Sequence, residues 1–170
     1  ASDLAFLTVK LGQTSFPELA SSMGKVIPLA STMKVSQEEL FGAMATLTGV
    51  TGNTAEVSTQ LRATIQGMLQ PTTAMTGKIK KLGYENGQAM IESLGLQGTL
   101  DKLKESVGGN EIAFSELFGS VEAKNAVLAL TGAQAENFTE KTNAMRNAVG
   151  ATEDAFKKQT DNIKDNFAKL

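Results

Sequence analysis

The sequence predicts an all-α protein, a bundle of roughly eight to ten short helices with a longer helical arm at the C-terminal side. Three observations support this fold class. Apolar residues recur at the spacing of one helix face, capping residues precede most of these stripes, and no alternation typical of strands is sustained. Among the 170 residues, 16 glycines and 3 prolines divide the pattern into short segments, and a hydrophobic content of 41% is enough for one core.

The first predicted helix begins at a capping box. Ser15 can accept a hydrogen bond from the amide of Glu18, and Pro17 lies in the first turn, where its missing N–H is harmless. We expect Pro28 to kink or end this helix. The apolar stripe behind the box consists of Phe16, Leu19, Ala20, Met23, Val26 and Ile27.

A second capping box, at Ser36 and Glu39, begins a helix that ends near Gly52. The apolar face of this helix contains Leu40, Met44 and Leu47. Glu38 and Glu39 lie in its first turn, where negative charge offsets the helix dipole. Because adjacent residues on a helix do not face each other, they do not form an acid–base pair.

The middle of the chain contains further short predicted helices. Asn53 or Thr54 caps a third helix, which ends before Pro71. Its stripe consists of Val57, Leu61, Ile65, Met68 and Leu69. Shorter helices are predicted over 73–82, 100–107, 111–118 and 121–130, the last three capped by Thr99, Asn110 and Ser120. Residues 84–98 predict no clear element because three glycines break the pattern.

The last stretch differs from the rest. We expect residues 1–132 to form a compact domain and residues 133–170 to form a helical arm, with one break near Gly150. A seven-residue spacing relates Val149, Phe156, Ile163 and Leu170. Such spacing indicates a seam that faces a partner, so the arm could self-associate. The intervening positions are polar, and an amphipathic helix lying on its own domain remains the alternative.

Composition excludes several classes of function. The chain contains no Cys, His or Trp, so disulfides, thiolate metal sites and His-based catalysis are absent. With 16 Lys and Arg against 18 Asp and Glu, the chain lacks the basic excess of a nucleic-acid binder. No run approaches the ~18 apolar residues of a membrane span. The first residues lack Met and a basic leader, which indicates a segment of a longer chain rather than a signal peptide.

Two local motifs are candidates for functional sites. Thr76-Gly77-Lys78 lacks the two framing glycines and the preceding strand of a phosphate-binding loop. Glu92-Ser93 resembles the catalytic pair of lytic transglycosylases, but the chain has a single Tyr where that family needs aromatic sugar platforms, and the same dipeptide recurs at Glu105-Ser106. We therefore predict no catalytic, cofactor-binding or metal-binding residues and no enzyme activity.

A series of short stretches carries a more specific pattern. In order, they read FPELA at 16–20, GKVIPLA at 24–30, VSQEEL at 35–40, ATLT at 45–48, TAE at 54–56, QLRA at 60–63, MLQP at 68–71, KLG at 81–83, LQGTL at 96–100, LFGSVEA at 117–123, VLALTG at 127–132 and GATEDAF at 150–156. Together they resemble the core region of phage tail tape measure proteins. One departure is Lys34, where the family more often places Gly, so we expect a turn of different shape there.

The resemblance implies a structural role in a phage or prophage tail. Tape measure proteins lie in the tail lumen, set tail length during assembly in the host cytoplasm and assist genome delivery. The implied partners are the tail tube and tail-assembly chaperone proteins. Two alternatives remain: a glycan-cleaving, lytic-transglycosylase-like tail domain with Glu92 as its acid, and an unrelated helical adaptor.

The apolar stripes also predict which residues form the core. We expect ten of them to be largely buried between helices. They are Leu19, Met23, Leu40, Met44, Leu47, Leu61, Ile65, Leu117, Leu128 and Leu130.

Overall fold

The computed structural model describes the backbone of residues 2–168 and the side chains of residues 3–150 and 157–168. Within these residues the chain forms ten helices and no strand. The helices are α1 (Ser2–Leu11), α2 (Phe16–Met23), α3 (Ile27–Thr32), α4 (Gln37–Thr51), α5 (Thr54–Leu69), α6 (Thr73–Lys81), α7 (Gly87–Ser106), α8 (Glu111–Ser115), α9 (Val121–Thr131) and α10 (Ala135–Ala168). The all-α prediction is confirmed. Because α7 is divided at Gly95, the number of helices lies at or just above the upper end of the predicted range.

Short polar side chains begin most of the helices. Ser15 Oγ accepts from the Glu18 amide at 3.4 Å, Ser36 Oγ from the Glu39 amide at 3.2 Å, and Asn53 Oδ1 from the Glu56 amide at 2.9 Å. Each bond satisfies one of the amides that the first turn of a helix leaves without a partner. Both predicted capping boxes therefore begin helices, and Asn53 rather than Thr54 caps α5.

Three predicted boundaries are wrong. Pro28 neither kinks nor ends the first predicted helix, because α2 already ends at Met23. It lies instead in the first turn of α3, where a proline removes no helical hydrogen bond. Thr99 caps nothing; it is buried inside α7, which begins at the Asn86 cap and changes direction at Gly95. Helix α10 continues through Gly150, since a glycine weakens a helix by only about 1 kcal/mol.

Helix α4 lies at the centre of the core. Every residue from 39 to 48 is buried, because α1, α5 and α10 pack around this helix. Gly42 permits the close approach of α10: a Cβ there would lie 3.0 Å from the Cα of Thr142. Nine of the ten predicted core residues are buried, and only Leu128 is half-buried at the edge of the core.

Helix α10 has two unlike parts. Phe138, Thr142 and Met145 in its first part are buried against the rest of the bundle. The described side chains from 157 to 168 are exposed, apart from the half-buried Thr160. The predicted division of the chain at residue 132 stays a prediction.

The turn before α4 contains Lys34 in a left-handed conformation, with φ 63°. This is backbone that glycine adopts without steric conflict and that a side chain disfavours. The backbone of Lys34 is therefore strained, in a conformation that glycine would adopt without strain.

Candidate functional site

The residues considered for catalysis do not form a site. Glu92 and Ser93 are both exposed on α7. A glycosidase acid needs a buried setting that keeps its carboxyl group protonated, and an exposed carboxyl lacks it. The structure thus gives no support to the glycan-cleaving alternative.

Two lysines bind the C-terminal ends of neighbouring helices. Lys78, in the motif excluded as a phosphate-binding loop, donates from Nζ to the carbonyl oxygen of Ser106 at 3.2 Å. Lys104, on α7, donates from Nζ to the carbonyl oxygen of Thr131 at 3.2 Å. Cations at helix C-termini satisfy free carbonyls and offset the helix dipole. Among the described residues, no three acidic, His or Cys side chains lie together as metal ligands. None of the described helices is long and apolar enough to cross a membrane.

Glu39 is a buried carboxylate with structural partners. Its Oε1 accepts from the Leu96 amide and its Oε2 from the Gln97 amide, both at 2.9 Å. The hydroxyl of Ser36 donates to Oε1 at 3.4 Å. Glu39 was predicted to offset the dipole of its own helix; it also caps the second half of α7, across the core.

The contact between α4 and α10 holds a partly buried cation. Lys141 Nζ donates to the carbonyl oxygen of Ala45 at 3.3 Å. Loss of hydration on burial lowers the pKa of this ammonium below its ordinary value. The adjacent hydroxyl of Thr142 is buried without a hydrogen-bond partner. Both groups lie in the contact between two helices, Lys141 against Ala45 and Thr142 against Gly42.

An apolar groove lies between α1, α2, α3 and α4. Its volume is about 360 Å³, and its walls include Ala5, Phe16, Met23, Ile27 and Phe41. Phe16 remains 48% exposed and Ile27 37% exposed. A groove of this kind, open and almost without polar groups, suits contact with another apolar surface better than recognition of a small polar ligand.

The groove continues onto a neighbouring exposed ring. Phe6 on α1 is 59% exposed, and its ring centroid lies 6.3 Å from that of Phe16. Neither α1 nor this patch was predicted. Ser2 and Asp3 at the start of α1 were a usable signal for that helix, whereas the groove exists only where four helices meet.

The C-terminal part of α10 presents a second apolar surface, which we call the α10 stripe: Ile163 and Phe167. Ile163 is 56% exposed and Phe167 72% exposed. Their i, i+4 spacing places them on one helix face. The heptad pattern identified Ile163 but missed Phe167, although this spacing was a usable signal. Val149 is half-buried against the chain's own core; Leu170 and the side chain of Phe156 lie outside the described residues.

Comparison of the sequence with known proteins finds one matching family and similar curated proteins. Residues 1–119 match the model of a family described as phage-related minor tail protein. The chain is 27% identical over 163 residues to a probable tape measure protein of Clostridium phage phiCD119, covering 92% of this chain and 17% of that protein. It is 25% identical over 151 residues to the tape measure protein of Pneumococcus phage Dp-1, covering 86% of this chain and 13% of that protein.

Two further results concern the length of the relatives and the solved structures. The chain spans 17% and 13% of the lengths of the two curated relatives. No solved structure matches it significantly.

Proposed function

We propose a function from one premise, that the chain belongs to the phage-related minor tail protein family. It is therefore a structural component of a phage tail, and such a component is associated with the virion. We propose that it is a non-enzymatic segment of a tape measure protein, which helps to determine tail length and to assemble the tail, and which takes part in genome delivery.

The similarity to two tape measure proteins over 92% and 86% of the chain carries this proposal. The helical fold supports it physically. A helix rises 1.5 Å per residue, so a helical chain converts residue number into axial length, which a molecular ruler requires. Most of the described residues lie in helices.

The folded segment is much shorter than the same chain would be as one helix. A continuous helix of 170 residues would span roughly 255 Å. The packed bundle around α4 cannot span that length. In our proposal the segment is folded before and during assembly, and its packed part opens when the parent protein lies extended in the tail lumen.

Partners in this proposal are the tail tube and tail-assembly chaperone proteins, met first in the host cytoplasm. A second copy of the chain is a further partner, through the α10 stripe. Ile163 and Phe167 remain 56% and 72% exposed to solvent within the part of the chain that the structure describes. A pair of large apolar groups on one helix face suits a helix–helix contact.

The experiment changes the length of the parent protein in its phage. A copy of residues 134–168 is inserted in frame directly after residue 168, which adds 35 residues and about 52 Å of helix. We expect tails longer by about this amount in electron micrographs. The matched control exchanges the exposed residues of 157–168 for helix-forming residues of equal number, keeps Ile163 and Phe167, and should leave tail length unchanged.

Complete virions whose tails keep their original length would contradict the role in length determination. If the long insertion blocks assembly, a 14-residue insertion at the same place gives the same comparison, with an expected increase of about 21 Å.

A further inference from the structure

Helix α7 is interrupted at one residue. Gly95 has φ 75° and ψ 173°, which lies outside helical geometry and in a region that strongly favours glycine. The residues on both sides are helical, so Gly95 ends one half of α7 and begins the other. With no side chain, it cannot supply the oxygen that usually caps a helix start.

Glu39 supplies that oxygen from another helix. Its two carboxylate oxygens each lie 2.9 Å from one amide nitrogen, those of Leu96 and Gln97. We call this arrangement the Glu39 cap. Glu39 is only 4% exposed, so the cap also provides the hydrogen bonds that a buried carboxylate requires.

The amides of Leu96 and Gln97 have a second possible set of acceptors within α7 itself. In an uninterrupted helix, Leu96 and Gln97 would donate to the carbonyl oxygens four residues earlier, those of Glu92 and Ser93. Straightening α7 therefore exchanges two hydrogen bonds for two others and leaves no amide without a partner. What it does leave is a carboxylate at position 39 whose amide partners are gone.

The interruption and the cap also depend on each other sterically. A Cβ at Gly95 would lie 2.9 Å from Glu39 Oε1. Any other residue at this position would disfavour the positive φ and press on the carboxylate. The bent form thus needs both glycine at 95 and the carboxylate at 39.

We propose that α7 is a two-state helix and that the Glu39 cap selects the bent state. When α4 is in place, its carboxylate binds the two amides and holds the bend. When α4 moves away, Glu39 becomes hydrated and residues 87–106 join into one straight helix about 30 Å long. The position of α4 and the shape of α7 are therefore coupled. This coupling is a property of the isolated chain and does not depend on the role in a tail.

The test measures the length of α7 directly. Because the chain contains no cysteine, cysteines introduced at Ala89 and Glu105 carry the only nitroxide labels. In a straight helix the two Cα atoms would be about 24 Å apart, and in the bent helix they are closer. Double electron–electron resonance then reports the two populations in the otherwise unchanged chain.

Two variants shift the balance and one serves as the control. Glu39→Gln removes the negative charge from the cap, and Gly95→Ala opposes the bend. We expect Glu39→Gln to raise the ratio of straight to bent helix about tenfold or more, the effect expected for losing one charge-assisted hydrogen bond. Gly95→Ala should shift the ratio in the same direction, because alanine disfavours the positive φ of the bend and its Cβ would press on the carboxylate. Glu38→Gln, at the adjacent residue outside the cap, should leave the distances unchanged.

Unchanged short distances in both folded variants would overturn the proposal, because the cap would then not select the bend. Circular dichroism establishes whether each variant is folded. Loss of folding in both variants would also overturn it, since the straight form would not be an accessible state of the chain.

Discussion

The carboxylate of Glu39 lies 2.9 Å from the backbone nitrogen of Leu96, a residue 57 positions later in the chain. This contact joins the beginning of α4 to the middle of α7. It fixes the orientation of Leu96, Leu100 and Leu103, all fully buried, against the rest of the core. One buried charge thus sets the direction of half a helix.

Removing this carboxylate should be costly. In Glu39→Ala, the amides of Leu96 and Gln97 lose their acceptors in the bent helix. The folded chain then either leaves them unpaired or repacks a straightened α7, and we expect the free energy of unfolding to fall by about 2–4 kcal/mol. Urea unfolding measures this change. Glu38→Ala, at the neighbouring half-buried position, should change stability by no more than about 0.5 kcal/mol. Equal effects of the two substitutions would contradict the assignment of the cap.

The same substitution should have opposite effects at two glycines, one in the close contact between α4 and α10 and one facing open space. Gly42→Ala places a Cβ against Thr142, and we expect it to destabilise the protein by about 1–3 kcal/mol. Gly77→Ala in α6 meets no atom within 4 Å and should stabilise by up to about 1 kcal/mol through helix propensity. Thermal or urea unfolding of both variants measures the difference. A stabilising Gly42→Ala would show that the helices do not pack this closely.

Backbone strain at Lys34 can be relieved by substitution. Because φ is 63° there, Lys34→Gly should stabilise the protein by about 1 kcal/mol, the left-handed penalty less the entropy of glycine. Lys34→Ala keeps the Cβ and removes only the charge, so it should bring no gain. If both variants gained the same stability, the lysine charge rather than the backbone would be the cause.

The α10 stripe predicts association of the isolated chain. Sedimentation should show concentration-dependent oligomers, and Ile163→Lys with Phe167→Lys should abolish them, because charge replaces two exposed apolar side chains. Asn162→Lys with Ala168→Lys adds the same charge to other faces of the helix and serves as the control. Loss of association in the control as well would assign the effect to charge alone.

The sequence was most informative where a structure depends on neighbouring residues. The caps at Ser15, Ser36 and Asn53 and the stripe at Leu61 and Ile65 are local patterns, and the structure has them as predicted. These signals are sufficient because a cap bonds within three residues and a stripe repeats within two turns.

The parts that the sequence did not predict depend on distant residues. The bend at Gly95 needs a carboxylate from α4, and a glycine alone does not distinguish a bend from a weak helix. The apolar groove needs α1 to lie beside α2 and α4, which no local pattern indicates. In the α10 stripe, Ile163 was found from its seven-residue spacing, whereas Phe167 lies off that register.

Small-angle X-ray scattering of the isolated chain tests the central structural claim, a packed helical bundle with a projecting end of α10. We expect a radius of gyration moderately above the roughly 15 Å of a fully compact chain of this length. A version that ends at residue 150, and so keeps Phe138 and Met145 in the core, should fall towards that value. A rod-like profile, approaching the length of roughly 255 Å expected for one continuous helix, would contradict the account.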